Sequence, residues 1–343
     1  MTTAPEPHAL MERVGHYYKA DHLYSVDRTK VLEYARAVQD YHPAHWDDDA
    51  AAALGYSGLV APLTFTAIPA MAANRKLLEG VVVGYETYVQ TEEVFEQHRP
   101  IVVGDILQTD VELSAVRRVA GRDMITITNT FVDQHGENVH TMHTTVVGVT
   151  AEDVDPGISD AVKKVMMHDV DFDSFEAASA DYVKTVRPDG PQRIATAGAT
   201  RVPGSLSFDG LAVGDQLPVH HTGLTRGDLV NYAGVAGDVN PIHWDESIAK
   251  LAGLPDVIAH GMLTLGLGAG YVSSWTGDPG AVTKYTVRLS APAIVPADGR
   301  GDIEYSGRIK SLDPDTRSGV VIIGAKSVDK KIFGMATMNI RFS

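Results

Sequence analysis

From Gly261 through Met-Leu-Thr-Leu-Gly-Leu-Gly-Ala-Gly-Tyr-Val-Ser-Ser to Trp275 the chain is apolar or small at every position. A surface helix carries a polar face, so this run predicts a helix buried on all sides. After Pro279-Gly280 the pattern changes to strand-like stretches at Val282–Leu289, Gly301–Ile309, Val320–Val328 and Ile332–Phe342, joined by turn-rich segments such as Asp313-Pro-Asp315. A buried helix followed by an antiparallel meander predicts an α+β fold in which a sheet wraps a helix. The first half has the same order: a helix from Pro62 to about Leu78, then strands at Tyr88–Gln97, Ile106–Val116, Met124–Val132 and His140–Val149.

The two halves also match residue by residue at a constant offset. Arg28 pairs with Arg226, Tyr34 with Tyr232, Asp40 with Asp238, Pro43 with Pro241, His45 with His243, Trp46 with Trp244, Gly55 with Gly253, Ala61 with Ala259 and Thr66 with Thr264. A repeat this long is a domain, because solenoid units run at roughly 20 to 50 residues. The expected division is 1–150, a linker at 151–203 and 204–343. The linker is acidic and proline-containing, with one short helix expected near Asp173–Val183.

Within the second half, Thr225-Arg-Gly-Asp228 has the form of a helix start, and helices are expected at Leu229–Val235 and Asp245–Leu251. Gly237 and Asn240-Pro241 break the pattern between them. Asp238 and His243 therefore sit on a braced loop, where an acid and an imidazole can share one proton-transfer site. Alone, such residues could equally be a helix cap, a turn and a hydrogen-bonded histidine. The duplicated register and the His260-Gly261 helix start favour chemistry.

At 343 residues the chain is long enough for two domains, each with its own core. A net charge of -15 argues against nucleic acid or an anionic membrane as partner. The first ten residues lack the apolar core of a signal peptide, and a cytoplasmic location is expected. With no cysteine, thiolate chemistry and cysteine-type zinc sites are excluded. His140 and His143 should face opposite sides of a strand, and His42 with His45 lacks a third ligand, so neither a metal nor another cofactor is expected. Gly266-Leu-Gly268-Ala-Gly270 lacks the spacing of a nucleotide loop.

Tyr232 to Ala249 resembles the signature of the hydratase 2 or MaoC-like dehydratases. Val213–Pro218, Ala259–Thr264 and Val272–Ala281 resemble the catalytic B subunit of the mycobacterial-type (3R)-hydroxyacyl-ACP dehydratase, and Val14–Val149 resembles its A subunit. The resemblance implies a double hotdog: two antiparallel sheets, each wrapped around a long helix. It also implies a fused A/B pair acting on long-chain acyl groups in fatty or mycolic acid elongation. Dehydration of a 3-hydroxyacyl thioester needs a base at C2, an acid for the leaving hydroxyl and a donor for the thioester oxygen. His243 is expected as base, Asp238 as acid, the Gly261 N–H as oxyanion donor and Asn240 as orienter of the loop or water. His260, Met262, Leu63 and Pro69 are expected to contact substrate.

In the first half Asp40 and His45 persist, but His42 replaces the asparagine, Gln39 the glycine, and Pro62-Leu63 stands in place of His260-Gly261. Pro69 is expected to interrupt the central helix and open a channel. This half is thus expected to bind the acyl chain without catalysing. The carrier is an acyl carrier protein or CoA; Arg117, Arg118 and Arg122, or Lys326, Lys330 and Lys331, could meet an acidic carrier. A homo-oligomer and other elongation enzymes are further expected partners. The alternatives are an (R)-specific enoyl-CoA hydratase and a non-catalytic acyl-binding module; a thioesterase lacks a nucleophile here.

Overall fold

The computed structural model describes residues 10–150, 152–166, 185–188, 190, 192–196 and 205–343. In chain order these form β1 (Tyr17–Lys19), β2 (Tyr24–Ser25), α1 (Arg28–Ala37), a 3-10 turn (Pro43–His45), α2 (Asp48–Ala53), α3 (Ala67–Gly80), β3 (Thr87–Gln97), β4 (Ile106–Val119), β5 (Arg122–Val132) and β6 (Asn138–Val149). Then come α4 (Ile158–Val165), β7 (Gln216–Leu224), α5 (Arg226–Ala236), a second 3-10 turn (Pro241–His243), α6 (Glu246–Leu251), α7 (Gly261–Thr276), β8 (Val282–Leu289), β9 (Gly301–Asp313), β10 (Ser318–Ser327), β11 (Lys330–Lys331) and β12 (Phe333–Arg341).

The main path of the sheet is β1-β4-β5-β6-β3-β8-β12-β10-β9-β7, part of one 12-stranded sheet. The order is palindromic about β3–β8: each half contributes the same antiparallel meander, and the first strand after each central helix pairs with its counterpart. This is a double hotdog. Pairing runs antiparallel from Glu92 opposite Arg288 to Glu96 opposite Lys284, with ion pairs between Glu92 and Arg288 at 3.3 Å and Glu96 and Lys284 at 2.7 Å. Joining the two edges removes the unpaired strand that each half alone would present to other chains. Tyr34 of α1 meets its counterpart Tyr232 of α5, ring centroids 6.2 Å apart, where the two equivalent helices pack.

The local elements follow their residues. Thr225 accepts from the Asp228 N–H while Asp228 accepts from the Thr225 N–H, a reciprocal cap that starts α5; Gly237 ends it at φ 78°. Helix α7 is buried along nearly its whole length, as its lack of a polar face requires. Gly266 and Gly270 let the first half close onto it: a Cβ on Gly266 would lie 2.6 Å from Val38, and one on Gly270 3.0 Å from the Asp40 carboxyl carbon.

Three expectations are corrected, and three strands were not foreseen. The main buried cluster, including Tyr34, Phe95, Tyr232 and Tyr285, runs through both halves rather than forming two separate cores; a smaller cluster around Leu77, Val111 and Ile125 belongs to the first half alone. The first central helix begins at Ala67, not Pro62, because Phe65, Ala67 and Ile68 bond three residues back to Pro62, Thr64 and Phe65. Pro69 therefore lies in the first turn, where a missing N–H breaks no helical bond, and it makes no kink. Edge strand β7 and the short β1 and β2 were not predicted, since five of the nine β7 residues are exposed and carry no apolar alternation. Between the halves the described helix is α4, which packs on α6 at the surface; the expected helix at Asp173–Val183 lies outside the described residues. Among the described residues no helix is long and apolar enough to cross a membrane.

Candidate active site

The two Asp–His loops are built alike. His243 Nδ1 donates to the Ile258 carbonyl at 2.8 Å, and His45 Nδ1 to the equivalent Val60 carbonyl at 2.6 Å. The backbone N–H of Ile242 bonds Asn240 Oδ1 at 3.3 Å; in the first loop the Ala44 N–H bonds His42 Nδ1 at 3.2 Å. His42 thus does the structural work of Asn240. Both asparagine and histidine here accept from the first free amide of a 3-10 turn that opens with proline.

The loops differ in what faces them. In the first, His45 Nε2 touches Asp40 Oδ2 at 3.2 Å with both side chains sealed, 0% and 3% exposed. Ser273 of α7, from the other half, donates to Asp40 Oδ2 at 3.4 Å, with Gly270 against the same carboxyl. Burial opposes charge on both members. Their mutual attraction outweighs it and holds Asp40 below the usual carboxylate range and His45 above the usual imidazole range. This is an ion pair locked inside the interface between halves.

In the second loop Asp238 is partly exposed and forms no such contact with His243. Instead Asp238, His243 and His260 each bring one side-chain atom within 4.8 Å of the others. Burial pushes His243 below its ordinary value, against the pull of Asp238 and of the Ile258 carbonyl. With Nδ1–H committed to Ile258, the neutral ring leaves its Nε2 lone pair as an acceptor. His260 stacks on His243 at 3.8 Å and directs Nε2 to the Asp238 carbonyl at 3.1 Å. Burial, then the neighbouring His243, drives it down to about 2, so it stays neutral and spaces the site without competing for protons. The same trio is also the one set of donors, among the described residues, that could hold a metal ion; with Nδ1 of His243 and Nε2 of His260 already engaged, the other ring nitrogens are the ones available to it.

Helix α7 starts beside this loop. Its N-cap, His260, makes no side-chain capping bond, so the amides of the first turn have no intrahelical acceptor and the positive end of the helix dipole faces the loop. A Cβ on Gly261 would come within 2.7 Å of Gln90 Oε1 and 3.0 Å of Leu289 Cδ1, so any side chain there would have to push both aside. Met262 is buried, with its sulfur 3.3 Å from Gln90 Nε2. Leu63 and Pro69 are buried in the first half, Leu63 within the apolar cluster that also holds Met262. Beyond them the space between α3 and its sheet is filled by Ala73, Leu77, Leu113, Ile125 and Ile127 and by a reciprocal Asn74–Asn129 amide pair at 3.1 and 2.6 Å.

Sequence reasoning missed Gln90 of β3, which reaches the start of α7 from the other half, and Glu93, which accepts from it. The signal was present in Thr-Glu-Glu-Val-Phe: in a strand two adjacent glutamates cannot both face solvent.

Residues 12–142 match the FAS1-like dehydratase domain region and residues 212–327 the MaoC like domain. A UPF0336 protein of Mycobacterium leprae is 37% identical over 149 residues, 43% of this chain and 94% of that protein. A Mycobacterium tuberculosis protein described as a double hotdog fold is 16% identical, covers 96% of each chain and has a TM-score of 0.61; at that identity it speaks for the fold alone. A solved MaoC-like dehydratase is 68% identical, with 98% of this chain and 100% of that one covered and a TM-score of 0.93. On that match, which spans both halves, the chain belongs to the MaoC-like dehydratases.

Proposed function

We propose that the protein is a (3R)-hydroxyacyl-thioester dehydratase, reversible as a trans-2-enoyl hydratase, with its chemistry in the second half. The observation that carries this is the open pair: a neutral His243 with a free Nε2 and a partly exposed Asp238, set beside the uncapped start of α7. In the dehydration direction His243 Nε2 takes the proton from C2, and charge moves onto the thioester oxygen toward the Gly261 N–H. The C3–O bond then breaks as the departing hydroxyl, held by Asp238, receives that proton from His243 and leaves as water. The proton taken from C2 thus departs in the water, and both groups end as they began. Asn240, whose side chain fixes the loop, orients the pair.

The first half is read as non-catalytic, since the sealed Asp40–His45 pair has no access to a thioester. Leu63 and Met262 are proposed to line the acyl path where the halves meet. The filled space beyond Pro69 favours acyl groups shorter than the long chains implied by resemblance. Carrier protein is preferred to CoA on that same resemblance. Of the two basic clusters, Arg117, Lys330 and Lys331 are exposed, whereas Arg118, Arg122 and Lys326 lean on Asp123, Asp153 and Glu304.

The test is loss of enoyl absorbance when carrier-linked and CoA-linked enoyl thioesters are hydrated over a chain-length series. Asp238→Asn and His243→Ala should each lose roughly 100-fold or more, as acid–base groups do, with folding intact. Near-normal turnover by either folded variant would remove the assignment. Binding of thioester with no turnover by the wild type would favour the acyl-binding alternative.

A further inference from the structure

Residues three apart on a regular strand face opposite sides. In β3 the register against β6 shifts between Gln90 and Glu92, and the extra residue, Thr91, turns Gln90 and Glu93 to the same side. Glu93 is fully buried. One oxygen accepts from Thr144 Oγ1 at 3.1 Å and the other from Gln90 Nε2 at 2.8 Å. The far end of the Gln90 amide, Oε1, lies against Gly261 at the start of α7. A carboxyl of one half is thus linked through a single amide to the catalytic helix start of the other.

We infer that Glu93 is a positioning residue for the proposed dehydratase site: its proton decides which end of the Gln90 amide faces the thioester beside Gly261. Ionised, Glu93 can only accept, so it holds Nε2 and leaves Oε1 toward Gly261, as in this structure. That oxygen would repel a developing oxyanion. Protonated, Glu93 donates to Oε1, the amide turns over, and its NH2 joins the Gly261 N–H as a second donor. Bulges recur beside active sites because they re-aim a side chain in this way.

The surroundings leave the proton on Glu93 near neutrality. Burial raises its pKa to about 8, against the hydrogen bonds from Thr144 and Gln90. From the other elements, Tyr232 of α5 is the titratable group that feels the charge of Glu93, and it also feels Tyr34 of α1 and Asp238 of the loop. Burial, then Tyr34, Asp238 and Glu93, all push Tyr232 upward, so it stays neutral. On β8, Glu93 is paired with Val287, while Arg288 pairs with Glu92 on the opposite face. The donor form therefore predominates below about pH 8 and disappears above it.

The inference rests on the proposed function, and two readouts separate them. The side-chain amide resonance of Gln90, followed by NMR in the unliganded protein, should inflect near pH 8 in the wild type and lose that inflection in Glu93→Gln. Turnover should fall through the same range in the wild type and not in Glu93→Gln. Gln90→Met, which keeps volume and the contact with Met262, should lose on the order of 100-fold in kcat with little change in KM, and lose the alkaline limb. Absence of turnover by the wild type would sink the functional reading, leaving the resonance to decide the inference. An inflection that survives Glu93→Gln, or an alkaline limb that survives Gln90→Met should Glu93→Gln not fold, overturns the inference.

Discussion

The sealed and the open Asp–His pairs should respond in opposite ways to the same chemical change. Asp40→Asn or His45→Ala leaves a buried partner unpaired, since the pair is 3.2 Å apart with 3% and 0% exposure. Breaking a buried ion pair by removing one member costs roughly 3 to 5 kcal/mol. At about 2–4 °C per kcal/mol for units of this size, the melting temperature should drop by roughly 10 °C. Turnover on short substrates by the fraction that remains folded should change less than about threefold, because the pair touches α7 near Gly270 and Ser273, away from the helix start at Gly261. Asp238→Asn and His243→Ala should do the reverse: little change in melting and loss of turnover. Calorimetry and steady-state rates on all four variants decide it. If His45→Ala melts like the wild type, the energetic reading of the sealed pair is wrong. If it folds well and loses turnover as His243→Ala does, the first half is catalytic and the division of labour fails.

Glu93 ties stability to pH: its folded value of about 8 lies above the ordinary 4.5, so between these the unfolded chain binds fewer protons and stability falls as pH rises. At about 1.4 kcal/mol per unit the loss approaches 4 to 5 kcal/mol by pH 8; urea unfolding of wild type and Glu93→Gln should diverge across this window, and parallel curves would refute it. Gly261→Ala should leave the helix intact but push Gln90 and Leu289 aside, lowering turnover of the folded protein at least tenfold; a silent substitution would show that close approach at this position is not needed. Cutting the chain between the halves should leave them associated, because β3–β8 pairing and the shared core hold them; two separate monomers on size exclusion would contradict that packing.

The Asp238–His243 loop was legible in the sequence because its pieces are local: a capping box, a left-handed glycine, a proline-opened turn and a helix with no polar face. The duplication then supplied the fold, since two copies of a helix-and-meander pattern leave two like edges to pair. What escaped were features that depend on pairing between segments distant in sequence. Nothing around Pro69 says that the preceding turns close at three residues, which moves the helix start and removes the kink. Nothing around Asp40 says that Ser273 and Gly270, from the other half, will seal its carboxyl against His45. The same residue types at the same spacing thus become a locked ion pair in one half and an open acid and imidazole in the other. The difference lies in the neighbours: α7 offers its buried middle to the first loop and its unpaired amides to the second. The link between Gln90 and Glu93 was hidden for the same reason, since strand alternation sets them on opposite faces until a bulge that only the partner strand reveals turns them together. The motif occurs twice, and asymmetric packing across the shared interface seals one copy and leaves the other open.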